Sequence, residues 1–284
     1  MYSRIDTIQT KEDVSNRERI DLEIKGVEEK FDVKTGKVTT KYNPNNALFN
    51  YSNEYSLTTT KKRLEELMQL ATVINADNVE LNRIDIATDS TINFSENAKM
   101  IYILHRCLVA KFKNGKEWTN YDTNDNKLCN VRFKNRDINV EFYDKYKESC
   151  GKSLYSSRFE VRFIRVKCKD FIHHIDKSIE IWLGAVNNLE IVEKLETEKL
   201  LNSTEFEEVK RKEMAFSKFV NRNHMYIYTL NQLKELYKNS GLKGSFSNWH
   251  KDFKKSNKLE LVNKTQLDTV VKEVVKSLKA YKKS

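Results

Sequence analysis

Proline occurs once in 284 residues, at Pro44, so domain borders have to be read from periodicity rather than from proline-rich linkers. The four cysteines, Cys107, Cys129, Cys150 and Cys168, contain no Cys-x-x-Cys pair, which argues against a zinc ribbon and a compact disulfide framework. Of the five histidines, His173 and His174 are adjacent, and neither a His-x-x-x-His helix nor a His-hydrophobic-His strand occurs. Metal sites built on paired histidines, as in zincins and the histidine-dependent nickases, are therefore disfavoured. His173 and His174 read as part of a helix rather than as ligands. No apolar run nears the length of a membrane span, no signal peptide is visible, and no G-x-x-x-x-G-K-[ST] loop is present. The expectation is a cytoplasmic chain with reduced thiols and no nucleotide-driven motor of its own.

What the chain has is charge. Lys and Arg number 51 against 41 Asp and Glu, a net charge of +10, while 39% hydrophobic residues suffice for a core. A basic excess suits a polyanion partner, although a lysine-rich surface is equally a solvated face. The distribution is more telling: from Asn223 to Ser284 the balance is +8, so most of the excess lies in the tail.

Periodicity predicts an α+β fold with an antiparallel-rich central sheet and two packed helices, followed by a helical connector and a small winged-helix-like module. Residues 1–168 would form the sheet domain, strand-rich over 1–58, with a hairpin at FDVKTGKVTTKY turning at Thr35-Gly36. One helix is expected from about Thr60 (Leu64, Leu67, Met68, Ala71, Ile74) and another from about Ser95 (Ile101, Leu104, His105, Leu108, Phe112). NVELNRIDIATD, VRFKNRDINVEFYDK and SSRFEVRFIRV each read as a strand. Residues 169–222 carry the connector pattern, through Ile175, Ile179, Trp182 and Val186. In the basic module, 223–284, helices around Leu230–Tyr237 and Phe246–Phe253, a short strand KLELV and an amphipathic helix from Leu267 to Tyr281 are expected. Trp249 reads either as the core of that module or as a base-stacking surface.

Strand side chains alternate faces, so each central strand divides into an apolar and a polar set. Ile84, Ile86 and Thr88 oppose Arg83, Asp85, Ala87 and Asp89. Ile138, Val140 and Phe142 oppose Asp137, Asn139, Glu141 and Tyr143; Phe159, Val161 and Phe163 oppose Arg158, Glu160 and Arg162. If the strands are neighbours, Asp85, Glu141 and Glu160 converge with Tyr143 beside them. Carboxylates that close suit a hard divalent ion, Mg²⁺ or Mn²⁺, which would polarise a phosphate, with Lys145 favouring the Tyr143 phenolate. A solvated polar sheet face produces the same alternation without any chemistry.

The order RIDIATD, EFYDKYKES and RFEVRF, over residues 80–168, resembles the rolling-circle replication initiators and relaxases that lack the paired-histidine motif. These are the plasmid and integrative-element initiators and the filamentous-phage replication endonucleases. TNDNKLCNVRFKNRD stands where the plasmid branch has a Gly-Ser-Arg-like turn, which leaves the subfamily open. The resemblance implies site-specific, metal-dependent DNA nicking and strand transfer through a 5′-phosphotyrosyl intermediate. Tyr143 would be the nucleophile, with Tyr146 and Tyr121 as the other tyrosines in reach. Asp85, Glu141 and Glu160 would hold the ion, and Asp89 stands open as a further ligand. Expected DNA contacts are Arg158, Arg162, Lys251, Lys254 and Lys255. The implied partners are double-stranded origin DNA, the nicked single strand and a host helicase, with a homodimer allowed and no membrane. The rival readings are a non-catalytic DNA-binding regulator and a metal-dependent nuclease without a covalent step.

Overall fold

A computed structural model describes residues 1–13, 27–32, 34–35, 37–42, 80–123, 127–166, 170–257, 261–262 and 264–283. The predicted helix from about Thr60 lies outside these residues, as does most of KLELV. The fold is α+β. Two compact units divide the chain: a sheet unit of Met1–Ala98, Phe112–Leu183 and Lys272–Ser284, and a helical unit of Lys99–Lys111 and Gly184–Val271.

Among the described residues the sheet has eight strands: β1 (Tyr2–Asp13), β2 (Val27–Asp32), β3 (Lys37–Tyr42), β4 (Glu80–Ser90), β5 (Lys116–Tyr121), β6 (Leu128–Lys134), β7 (Ile138–Asp144) and β8 (Ser157–Ile164). Their spatial order is β2-β3-β1-β4-β8-β7-β6-β5, and every neighbouring pair is antiparallel. The β2–β3 hairpin forms where FDVKTGKVTTKY predicts it, closed by the Thr35 amide donating to the Asp32 carbonyl.

VRFKNRDINVEFYDK is not one strand. It breaks at Asn135, whose side-chain oxygen accepts from the amides of Asp137 (2.9 Å) and Ile138 (2.8 Å), while the Asn135 amide donates to the Ile138 carbonyl. This Asx-type turn folds β7 back along β6, and the apolar positions change parity across it, from Val131 and Phe133 to Ile138, Val140 and Phe142, which one continuous strand would have split between two faces.

Across β1, β4, β8, β7 and β6 one face is largely apolar. Ile5 and Ile8, Ile84 and Ile86, Phe159, Val161 and Phe163, Ile138, Val140 and Phe142, and Val131 and Phe133 are all buried in matching register. Each such side chain contributes about 1.5–3 kcal/mol on burial. Within the sheet unit, Trp182 of a helix at Phe171–Ala185 stacks on Phe142 with ring centroids 5.7 Å apart. A final helix, Lys264–Lys283, carries Ser277, which accepts a hydrogen bond from the Ser3 hydroxyl (2.9 Å), and Lys282, which pairs with Asp176 (2.7 Å).

The helical unit holds most of Ala98–Val109 together with Leu189–Leu201, Thr204–Val209, Glu213–Arg222, Leu230–Asn239 and Phe246–Ser256. Its core includes Phe206, Phe216, Phe219, Leu233, Leu236, Trp249 and Phe253. Trp249 is therefore core, with its indole N–H on the Ser217 hydroxyl at 3.1 Å. The Leu230–Asn239 helix starts at Thr229, whose hydroxyl caps the Gln232 amide. It stops before Gly241, whose φ of +67° suits glycine at a helix C-terminus. Among the described residues, no helix is long and apolar enough to cross a membrane.

Replacing Asn135 with Ala should cost about 1 kcal/mol, because two backbone amides lose their acceptor. Asn135→Asp should keep most of it. Chemical denaturation of the two variants checks this, and equal loss in both would remove the Asx turn as the element that divides β6 from β7.

Candidate active site

Residues opposite each other on antiparallel strands share a face, so the register aligns the polar side chains in rows across the sheet. One row runs Tyr2, Asp89, Arg158, Tyr143, Asn130 and Asn120. The next runs Arg4, Ala87, Glu160, Glu141, Arg132 and Trp118, and a third Thr7, Asp85, Arg162, Asn139, Lys134 and Lys116. Tyr143, Asp85, Glu141 and Glu160 thus occupy one patch, as the alternation requires if the strands are neighbours.

The centre of the carboxylate cluster is a guanidinium. Arg162 donates from Nε and Nη2 to the two oxygens of Glu160 (2.8 and 3.0 Å), and its Nη2 also meets Glu141 Oε2 at 2.8 Å. Its Nε lies 3.7 Å from Asp85 Oδ2. Arg83 holds Asp85 with both ends of its fork, Nε to Oδ1 at 2.7 Å. Asn130 Nδ2 donates to the remaining oxygen of Glu141 (2.8 Å). Among the described residues, no group of three His, Cys, Asp or Glu side chains is disposed as a ready metal cage.

Three carboxylates stand against two guanidinium groups, which leaves one negative charge unmatched, and Asp85 is the most deeply buried of the three. This side chain is 1% exposed. Burial pushes its carboxyl up, Arg83 pulls it back through a hydrogen bond, and neighbouring Glu160 raises it again, to about 7.

A second buried network lies one row away. Arg158, also buried, donates from Nε and Nη2 to Asp89 (2.6 and 3.1 Å) and from Nη1 to Asp6 (2.8 Å). Arg4 Nη2 adds a contact to Asp89 at 3.1 Å. Burial pushes the Asp6 carboxyl up, but Arg158, Arg4 and Lys145 outweigh it and hold the group far below the usual carboxylate range.

Tyr143 faces Arg158 directly across β7 and β8. Burial raises its phenol well above 10, and the Arg158 charge opposes that rise. Lys145 stands over the aromatic ring, with Nζ 5.8 Å from the centroid, and pairs with Glu148 in the turn Lys145–Glu148. The cation facing Tyr143 across the strands is therefore Arg158 rather than Lys145. Tyr146 sits on that turn at 54% exposure and Tyr121 on β5 at 44%. Of the three tyrosines, Tyr143 is the one in register with both a guanidinium and the carboxylate patch.

The expected DNA contacts separate. Arg158 and Arg162 spend their guanidinium groups on carboxylates, so they set the charge of the face instead of offering exposed phosphate contacts. Lys251, Lys254 and Lys255 are exposed on Phe246–Ser256, with Lys255 paired to Asp252 (2.8 Å). Arg83, Asp6, Arg4 and Asn130 complete the site's charge and hydrogen bonds and were not singled out from the sequence. Arg83 and Asn130 follow from strand alternation once the pairing is known. Arg4 and Asp6 had no signal, because no motif marks β1.

No protein-family model matches the chain, and no curated protein does. Among solved structures the chain is similar to a rolling circle replication initiator protein from Geobacillus stearothermophilus, at 12% identity and a TM-score of 0.36, over 85% of this chain and 97% of that chain. A TM-score of 0.36 falls short of establishing a shared fold.

With a folded-state pKa near 7 against 3.8 for the free group, ionisation of Asp85 opposes folding. The stability tied to its proton is fully present below about pH 4 and is lost as pH rises through about 7. Asp85→Asn removes this titration. Its melting temperature relative to the parent should rise by a few °C between about pH 5 and 7.5, read by calorimetry. A flat difference across that window would mean that Asp85 is ionised throughout.

Proposed function

We propose that this sheet face nicks and rejoins DNA through Tyr143, and that the protein starts rolling-circle replication at a duplex origin. The observation that carries the reading is the placement of Tyr143 opposite Arg158 and one row from Glu141 and Glu160. The RIDIATD, EFYDKYKES and RFEVRF order supports it independently.

In the reaction, Tyr143 Oη gives up its proton and attacks the phosphorus. A Tyr–O–P bond forms, the P–O3′ bond breaks, and the released 3′ oxygen takes a proton to become the hydroxyl that primes synthesis. The product is a 5′-phosphotyrosine, and the reverse transfer reseals the strand without a high-energy cofactor. A buried phenol is a poor nucleophile while protonated. The fixed charge of Arg158 counters this by favouring the phenolate in a place where water cannot.

Asp85, Glu141 and Glu160 suit Mg²⁺ or Mn²⁺ by donor type and by their unmatched negative charge. A divalent ion bound there would polarise a phosphate oxygen. Arg162 now holds the same oxygens, so ion and guanidinium compete for them. Duplex DNA would be engaged through Lys251, Lys254 and Lys255, with unwinding left to a host helicase.

That each of the three carboxylates already contacts Arg83 or Arg162 also favours a second reading, a non-catalytic DNA-binding regulator whose polar face is only an ion-pair network. Covalent trapping separates them. Tyr143→Phe should keep the fold and DNA binding but abolish both nicking of supercoiled origin DNA and the protein–DNA adduct on a denaturing gel. An adduct surviving in the variant would hand the role to Tyr146 or Tyr121; no nicking by the parent would favour the regulator.

Mn²⁺ titration by calorimetry checks the ion independently of activity. Glu141→Gln and Glu160→Gln should each weaken binding, and unchanged affinity in both would remove the shared site. Duplex recognition is best tested by Lys251→Ala, Lys254→Ala and Lys255→Ala together. Deleting 223–284 would also strip Lys272–Ser284 from the sheet unit, including the buried Tyr281. If the three lysines meet phosphate, the salt slope of duplex binding should fall by about 3.

A further inference from the structure

Trp118 is the exposed tryptophan of this chain. It is 42% exposed, whereas Trp182 is 2% and Trp249 5% exposed. It sits on β5, the strand at the end of the sheet next to β6, and all six β5 residues are exposed. A single exposed indole is ordinary on a protein surface, so its neighbours decide what it can do.

The register says what lies beside it. Trp118 is opposite Arg132, which is opposite Glu141. Asn120, two residues on, begins the row that leads through Asn130 to Tyr143. Trp118 is therefore on the same face as Tyr143 and two strands away, roughly 10 Å at ordinary strand spacing. The Arg132 guanidinium carbon lies 5.5 Å from the indole centroid, and its Nε donates to Asn139 Oδ1 at 3.3 Å, so the cation is held over the ring.

Burial grades along these rows. Trp118, Asn120, Lys116 and Lys134 are exposed; Asn130, Arg132, Glu141 and Tyr143 are half-buried; Arg158 and Glu160 are buried. The face opens toward β5, and a strand reaching Tyr143 from that side crosses Trp118. On the face shared with Tyr143 this margin exposes Lys116, Lys134 and Asn120 beside Trp118, while Glu117 and Thr119 lie on the opposite face of β5. That suits a polyanion with stackable bases and resists pairing with another protein's sheet edge.

We propose that Trp118, braced by Arg132 and flanked by Lys116 and Lys134, is a stacking platform for a base of single-stranded DNA, guiding the strand across the β5–β6 margin to Tyr143. This rests on the DNA-nicking reading and adds where the single strand lies and what holds it. Trp118 is a positioning residue: it touches the strand away from the bond that breaks.

The full chain carrying Tyr143→Phe is titrated with a short oligothymidylate, and tryptophan emission and affinity are recorded. Because Trp182 and Trp249 are buried, the expected quenching belongs to Trp118 and should vanish in Trp118→Phe, while affinity is largely kept. Trp118→Ala should weaken oligothymidylate binding by about 5- to 100-fold, leave duplex affinity unchanged, and raise KM for single-strand cleavage more than it lowers kcat in the Tyr143 parent. Undiminished affinity in Trp118→Ala, or quenching that persists in Trp118→Phe, overturns the platform while leaving the nicking reading intact. A change of sedimentation in Trp118→Ala without any loss of oligonucleotide affinity assigns the patch to a protein contact and overturns it too. If the parent binds no oligothymidylate, the platform and the nicking reading fail together.

Discussion

Burying charge on a sheet face is costly unless each charge meets its counterpart, and Arg158 meets two. Its fork bridges Asp89 on β4 and Asp6 on β1, so one buried side chain ties three neighbouring strands together on their polar side. Losing one partner of such a network typically costs about 3–5 kcal/mol, since the remaining charges stay buried. The same residue is the register partner of Tyr143 on β7. The group that makes burial of the polar face tolerable thus also opposes the rise that burial imposes on the Tyr143 phenol. Any change in one is felt in the other.

Arg162 repeats the arrangement two rows away, but with a different balance. It serves Glu160 and Glu141 with short contacts and Asp85 at longer range, and Arg83 supplies only one further charge. The Arg158 network drives Asp6 far down, whereas the Arg162 cluster leaves Asp85 near neutrality. Two networks built from the same residue types on one sheet face therefore differ in charge balance: two guanidinium groups meet two carboxylates around Arg158, and two meet three around Arg162.

Much of this was legible in the sequence, and for a simple reason. In RIDIATD, RDINVEFYD and SRFEVRF the period-two alternation is uninterrupted, so the apolar set had to face a core and the polar set had to share the other side. The carboxylate patch and its tyrosine followed once the strands were neighbours. Trp182 and the stripe from Leu267 to Tyr281 read equally well as helix faces. The break at Asn135 leaves its mark only as a change of parity, from Val131 and Phe133 to Ile138, Val140 and Phe142, which reading the segment as one strand passes over. β5 was not legible: KEWTNY carries no apolar face of its own, because an exposed edge strand has none to show. Asp6 and Arg4 stayed hidden because their role depends on β1 pairing with β4 across nearly eighty residues of chain.

Local sequence fixes what depends on a residue and its near neighbours: which strands have a wet and a dry face, where helices are amphipathic, and which carboxylates lie on the wet side. Pairing across distant segments fixes everything that depends on register. It decided that Arg162, not open solvent, stands among Asp85, Glu141 and Glu160; that Arg158 rather than Lys145 faces Tyr143; and that Trp118 marks the open margin of the same face. A strand's alternation specifies the side on which a group points. Only the neighbouring strand, brought in by the tertiary fold, specifies the charge it meets there.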